Sequence, residues 1–321
     1  EYYNKLGSDL LYEVNQPYHN GGTTDGSYSI YKNVGNMRNS GFEFSITGNI
    51  IRKENFNWNL TLNASTVKNK ITKMPEESPE IVSSPYKRAV GHSMYDYYTR
   101  DFYGVDPDNG MVLYRGIDEG VTIDPTADNY AENFKIIGTD TLTYNQNYAK
   151  QGWIGKSALP TVYGSIVNQF TYKGFNLGFV MTYSVGGWAY DSQYAGFMSS
   201  GSTNGSNLHK DLLNAWQQPG DITDVPRMDL SRTSQHGATS SRFLTRADYF
   251  GLSSINMSYT LPSSILGSAG IKRARIFASA ENVFFVTARK GMNTFSSITG
   301  VQGTSSYSPA RVINFGINFG L

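Results

Sequence analysis

Several stretches of the chain alternate between apolar and polar residues with a period of two, the mark of strands that bury or grease one face only. The cleanest is residues 56–65. Phe56, Trp58, Leu60, Leu62 and Ala64 fall on one face, and Asn57, Asn59, Thr61, Asn63 and Ser65 on the other. Just before it, Phe42, Phe44, Ile46, Gly48 and Ile50 oppose Glu43, Ser45, Thr47 and Asn49. The turn Arg52-Lys53-Glu54-Asn55 makes the pair a hairpin. A second hairpin spans Thr161–Tyr172 and Phe175–Val185, joined by Lys173-Gly174. Further strands are expected at 1–14, 92–105, 249–261 and 272–285.

The last stretch repeats the pattern to the final residue. Ile313, Phe315, Ile317, Phe319 and Leu321 share one face, and Val312, Asn314, Gly316, Asn318 and Gly320 the other. An unpaired apolar edge invites aggregation, and barrel closure removes it. These five apolar residues are therefore candidates for the closing, membrane-inserted strand. A β-sandwich also buries one face of each sheet, so alternation alone leaves both architectures open.

The connections separate the two. Short turns at 52–55, 173–174 and 262–271 alternate with long loops at 15–27, 73–91, 106–160, 186–244 and 286–308. The loop at 106–160 reads as mostly irregular, and 186–244 contains a Gly/Ser/Thr/Asn patch at 199–207 and a short helix near Leu208–Gln217. Loops longer than about 15 residues need a reason in a compact domain. Long loops at one rim and short turns at the other is the layout of an outer-membrane barrel. About nine strands are expected. That odd count, and a start inside a strand-like segment, imply further strands upstream, with one of them partnering the closing strand in place of residues 1–14.

Composition agrees. Charged residues are 17% and aromatics 14% of 321 residues, with 33 Gly and a net charge of +1. The charge balance carries no nucleic-acid signal. No cysteine is present, which excludes disulfides and cysteine metal sites. No apolar run is long enough for a membrane helix, and residues 1–5 have no apolar core of a signal peptide.

Catalytic chemistry finds no support. Glu76, Glu77 and Glu80 sit in a Pro-rich loop with nothing to raise one pKa, so a solvated cluster is the better reading. His19, His92, His209 and His236 lack ligand spacing. Asp106, Asp108, Asn109 and Gly110 resemble the start of a calcium loop, but its twelfth position is Ile117, and a turn fits better. Phe56, Trp58, Phe175 and Phe319 suit an interfacial girdle. Tyr95, Tyr97, Tyr98, Trp153, Trp188 and Trp216 lie in or beside the long loops and are the candidate ligand-stacking residues. Packing of the loops on themselves is the competing role for each.

A series of motifs resembles SusC/RagA-type TonB-dependent transporters of the Bacteroidetes outer membrane. It runs Asn33-Val34-Gly35 to Gly41-Phe42-Glu43, Phe56-Asn57-Trp58, Asn69-Lys70-Ile71, Tyr103-Gly104-Val105-Asp106 and Ile137-Gly138. It continues with Phe170 to Leu177, Asp224-Val225-Pro226-Arg227, Ser241-Arg242-Phe243 and Ala247-Asp248-Tyr249. Ser258 to Pro262, Glu281-Asn282-Val283-Phe284 and the terminal strand complete it. The resemblance implies an all-β, antiparallel transmembrane barrel of about 22 strands, of which residues 1–321 form the C-terminal part. A plug, a TonB-contact segment and earlier strands would lie outside this chain. It also implies import of oligosaccharides, or of oligopeptides, with a SusD-like surface lipoprotein, in contact with outer-membrane lipid and without cofactor. A soluble secreted glycan-binding or glycan-cleaving β-protein, and a plain pore or adhesin barrel, are the rival readings.

Overall fold

The structure is a computed structural model, and it describes residues 1–15, 29–76, 78–199, 207–266, 271–292, 301–302 and 309–320. Leu321, Glu77 and His19, and most of the loops expected at 15–27 and 286–308, lie outside the described residues.

β1 (Tyr2–Asn15), β2 (Ser29–Arg52) and β3 (Phe56–Ser65) open an antiparallel wall, and β4 (Lys68–Lys73) pairs back onto β2. The first long excursion then carries β5 (Glu80–Ser83), β6 (Tyr86–Ala89), β7 (Asp96–Val105), β8 (Val112–Arg115), β9 (Phe134–Ile137), β10 (Asp140–Thr143) and β11 (Gln151–Ser157). β12 (Val162–Tyr172) and β13 (Phe175–Val185) return to the wall. A second excursion holds β14 (Trp188–Asp191) and β15 (Leu244–Arg246). β16 (Tyr249–Thr260) and β17 (Arg273–Thr287) follow, then β18 (Val301–Gln302) in a third excursion, and β19 (Val312–Gly320) ends the wall.

The wall runs β1-β2-β3-β12-β13-β16-β17-β19, an up-and-down order in which every strand pairs with the next wall strand in sequence. With β4 it makes the nine-stranded sheet. The expected total thus survives with one member exchanged. The strand expected at 92–105 is β7, and it lies in a separate seven-stranded sheet with β5, β6, β8, β9, β10 and β11. Residues 106–160, expected to be irregular, carry four of those strands. Their runs of four to seven residues are too short for period two to stand out from turn residues. The helix near Leu208–Gln217 is a 3-10 turn at Lys210–Asn214.

Register carries the two faces across the wall. Ile46 pairs with Leu62, Leu62 with Ile166, and Ile166 with Met181, which pairs with Leu252. Nearer the short turns, Trp58 pairs with Phe170, Phe170 with Leu177, and Leu177 with Met257, then Ala278 and Phe315. One row further out lie Phe56, Tyr172, Phe175 and Tyr259. Aromatic rings thus gather at the short-turn rim, where a girdle would sit. On the closing strand Ile313, Phe315, Ile317 and Phe319 are all more than half exposed, as residues that face lipid are in an isolated chain.

Asn168 is an amide on the apolar face of β12, and its carbonyl is satisfied. Trp58 Nε1 donates to its Oδ1 at 3.1 Å. A polar group at membrane depth needs such a partner, because hydrocarbon offers none. β19 pairs only with β17 and β1 only with β2, so no pairing joins the two edge strands among the described residues.

Candidate functional site in the polar wall face and loop assembly

The opposite face of the wall is a ladder of amides and hydroxyls. Ser45 Oγ donates to Asn63 Oδ1 at 2.7 Å, and Asn63 Nδ2 donates to Ser165 Oγ at 3.0 Å. Thr47 and Thr61 share a hydrogen bond of 2.9 Å, and Thr182 and Ser253 one of 2.8 Å. Near the short-turn rim this face forms a concavity of about 550 Å³, with Gln169, Thr171, Asn176, Asn256, Ser279 and Arg275 among its lining residues. Arg275 Nη2 donates to Ser258 Oγ at 2.9 Å. Amides and hydroxyls can exchange hydrogen bonds with a passing solute, and Arg275 adds a single positive charge to them.

Glycine shapes this wall where a side chain must cross a strand. A Cβ on Gly41 would overlap the Thr66 carbonyl and crowd Tyr3, whose hydroxyl donates to Thr66 O at 3.1 Å. A Cβ on Gly164 would overlap the Asn63 carbonyl, over which the Tyr183 hydroxyl reaches to donate at 3.0 Å.

At the other rim the two long excursions fold into one assembly. Its larger core holds Tyr97, Tyr190, Met198, Val225, Phe243 and Leu244, with both Tyr97 and Phe243 wholly buried. Burying a Phe-sized ring contributes about 1.5–3 kcal/mol, so these loops have a core of their own. Tyr97 hydroxyl donates to Trp188 O at 3.0 Å and accepts from Tyr190 N at 3.2 Å. Thr99 Oγ1 donates to Thr239 O at 3.0 Å, and Ser241 Oγ accepts from Phe102 N at 2.9 Å. Trp216 Nε1 donates to Pro107 O at 2.9 Å. Its indole lies only 2.5 Å from where a Cβ on Gly110 would be, and Gly110 has φ +72°, so that turn suits glycine on both counts.

The motif residues singled out above are the joints of this assembly. Asn69 Oδ1 accepts from Ser93 Oγ and Met94 N, while its Nδ2 donates to Asn39 Oδ1 at 2.8 Å. Arg227 donates from its backbone to Gly110 O and from Nη1 to Asn109 O. Asp248 Oδ1 accepts from Gly186 N at 2.6 Å. Asn282 has φ +52° at a register shift, and its Nδ2 donates to Ala310 O. Asn tolerates that backbone better than most residues.

The Asp106 turn closes around a lysine. Lys135 Nζ lies 2.6 Å from Asp106 and 2.7 Å from Asp108. Tyr144 hydroxyl and Asp108 N also donate to the Asp106 carboxylate. Burial pushes the Asp106 carboxyl up, but hydrogen bonds from Lys135, Tyr144 and Asp108 N outweigh it and hold the carboxyl below its ordinary value. Burial pushes the Lys135 ammonium down, yet its two carboxylates raise it to about 12. The ammonium occupies the place between the carboxylates that a cation would take. His236 is buried among the loops with neither ring nitrogen hydrogen-bonded. Burial, then the charge of Arg242, pushes it down to about 4.

The candidate stacking residues separate in this frame. Tyr97 is corrected to a packing residue, because its ring is fully buried and its hydroxyl bridges two loops. Trp153 stacks on His92 with centroids 3.7 Å apart, and Tyr98 meets it edge-on at 5.2 Å. Lys87 Nζ sits 4.7 Å from the Tyr98 ring. Trp188 has Lys156 Nζ 3.7 Å above it and packs, with Tyr95, against the larger loop core. Trp216 plugs the Gly110 turn. Spacing could not reveal these pairings, since they join positions up to 109 residues apart.

The chain is similar over 98% of its length to the structure of the RagAB peptide importer in the closed-closed state, with 25% identity and a TM-score of 0.77. It covers 32% of that chain. Among curated proteins, TonB-dependent receptor P39 of Formosa agariphila is 27% identical over 91% of this chain and 30% of its own. TonB-dependent receptor SusC of Bacteroides thetaiotaomicron is 23% identical over 91% of this chain and 27% of its own. In sequence and fold the chain resembles SusC/RagA-type TonB-dependent transporters. No protein-family model matches it. The chain spans about a third or less of the length of the proteins it matches. Its fold is the antiparallel β-barrel wall of that type, and its relatives are receptors and transporters, not enzymes. TonB-dependent receptors are outer-membrane barrels. Among the described residues no helix is long and apolar enough to cross a membrane, which has no bearing on strands.

Proposed function

We propose that this chain is the C-terminal wall and loop assembly of a 22-stranded outer-membrane transporter that imports an oligomeric nutrient. The carrying observation is an apolar face backed by an amide-hydroxyl face, kept in step from β2 to β19 through three local register shifts. Such a wall needs lipid on one side and a wet lumen on the other. A plug supplied by the rest of the protein sits against the lumen face, and TonB acts through that part. The ordered loops serve as the platform for a SusD-like surface lipoprotein. A pre-packed platform keeps down the ordering cost of docking.

Oligosaccharide is the substrate class favoured by the lumen, whose described lining includes Gln169, Thr171, Asn176, Asn256 and Ser279, groups that exchange hydrogen bonds with hydroxyls. Oligopeptide is the second reading, favoured by the likeness to a peptide importer. A strain lacking the full-length gene, grown on glycans and on peptides as sole nutrient, separates the two. Selective loss of growth on glycans supports the first reading, loss on peptides the second, and normal growth on both removes the import role. Recovery of the protein in the soluble fraction would instead favour a secreted β-protein.

A further inference from the structure

The lipid face is not uniformly bulky. Along β17 its outward residues include Ala274, Ile276, Ala278 and Ala280. The alanines have larger register partners, Met257 and Phe315 flanking Ala278, while Tyr259 and Ile317 flank Ile276. The result is a trough of about 380 Å³ walled by these side chains and Phe175. It lies in the two register rows next to the short-turn rim, with Phe56, Tyr172 and Phe175 at the same level. That is the depth of acyl carbons just beneath headgroups.

A second feature lies at the same end. Each of the three short turns carries or adjoins an exposed lysine: Lys53, Lys173 and Lys272. Glu54 is the one acidic residue in those turns among the described residues. Lys173 precedes Phe175 by two residues, and Lys272 precedes Ile276 by four, so both stand beyond the trough, Lys272 one register row further out. Their strands are two apart, about 10 Å by strand spacing. Two extended lysine side chains cover that span. Basic residues beside a membrane surface attract phosphate headgroups.

We propose that the β17 trough with Lys173 and Lys272 is a binding site for one phospholipid, its acyl chain in the trough and its phosphate on the two lysines. The proposal rests on the barrel-wall reading and adds to it a particular lipid at a particular place. Fatty acid would fill the trough without needing the lysines as a pair. A second copy of the barrel would cover the trough with protein.

The test is native mass spectrometry of the full-length receptor in mild detergent, titrated with palmitoyl-oleoyl phosphatidylglycerol. The wild-type protein is expected to bind one molecule. Lys173→Ala and Lys272→Ala should each weaken binding roughly fivefold, the worth of one lysine at a charged surface. Ala278→Trp fills the trough and should abolish the adduct. Ile46→Trp, on the same face but on β2, should leave it unchanged. Equal binding by all variants overturns the site. Equal uptake of oleic acid, indifferent to the lysines, overturns the phospholipid assignment, and a protein dimer in place of the adduct overturns it too. A receptor missing from the outer-membrane fraction would instead contradict the wall reading, so the two failures are distinct.

Discussion

Phe277 covers Gly316 across the β17–β19 pair, and a Cβ at Gly316 would run into its ring. Gly251 is covered in the same way by Phe285, its register partner on β17. Both pairs lie on the lumen face, and aromatic cover of a strand glycine helps to pin register. The small face of the closing strand is therefore a fitted surface. Gly316→Val is expected to destabilise the folded barrel by about 1–3 kcal/mol, the usual cost of overpacking. Phe277→Ala in the same chain should relieve most of that cost. The melting midpoint of the compact band on a semi-native gel reads both, and an unrelieved double variant would show that the ring is not the obstacle.

The Lys135 clamp gives a pH signature. Asp106 has a depressed folded pKa, so its stabilisation is present above the unfolded value of 3.8 and fades as pH falls through the folded one. Lys135 is raised to about 12, so its share is present below 10.5 and is lost as pH climbs through about 12. Lys135→Met leaves the buried Asp106 carboxylate to Tyr144 and Asp108 N alone and is expected to cost about 1–3 kcal/mol in the loop assembly. Hydrogen exchange across 106–150 should speed up in that variant while the wall strands stay protected. Unchanged exchange would mean that the clamp holds nothing.

His236 adds a second acid-sensitive contribution, in a higher pH window than Asp106. Its folded pKa of about 4 lies below the ordinary 6.5, so protons favour the unfolded loop. The penalty is absent above 6.5, grows as pH falls, and is complete below about 4. Limited proteolysis of the loops should accelerate through that window, and His236→Phe should flatten the response. A variant with the same acid sensitivity as wild type would place the titration elsewhere.

Tyr97 tests packing against ligand contact. Tyr97→Phe removes the donor to Trp188 O and the acceptor for Tyr190 N. A buried group left unsatisfied costs about 1–3 kcal/mol. Exchange of the 188–191 amides is expected to rise by about tenfold. Substrate affinity of the full-length transporter should change little, because the ring has no exposed face. A large affinity loss with unchanged exchange would restore a ligand role.

Much of the wall is legible in the residue pattern alone. Hairpins 42–65 and 161–185 show a period of two broken only locally, at Asn49/Ile51 and at Asn168, and Lys173-Gly174 has both residues at positive φ, as a two-residue hairpin turn requires. The loop assembly is far less legible. β7 looks like a wall strand because Tyr95, Tyr97 and Tyr98 give it strand propensity, yet its partners are β6, β8 and β11. Contacts such as Trp216 to Pro107 or Thr99 to Thr239 join distant segments and leave no local period. The motif residues Asn69, Arg227 and Asp248 are visible as a set, but their shared role as loop joints emerges only from the hydrogen bonds they make.

The chain contains no cysteine, so single cysteines can be placed along the closing strand of the full-length receptor without background from this part of it. A fluorophore on Phe315→Cys, Ile317→Cys, Asn314→Cys or Asn318→Cys, in outer membrane doped with nitroxide-labelled lipid, reports which side meets acyl chains. Strong quenching at 315 and 317 and weak quenching at 314 and 318 is the expected result. Uniform quenching along the strand, or none at 315 and 317, would contradict the barrel wall.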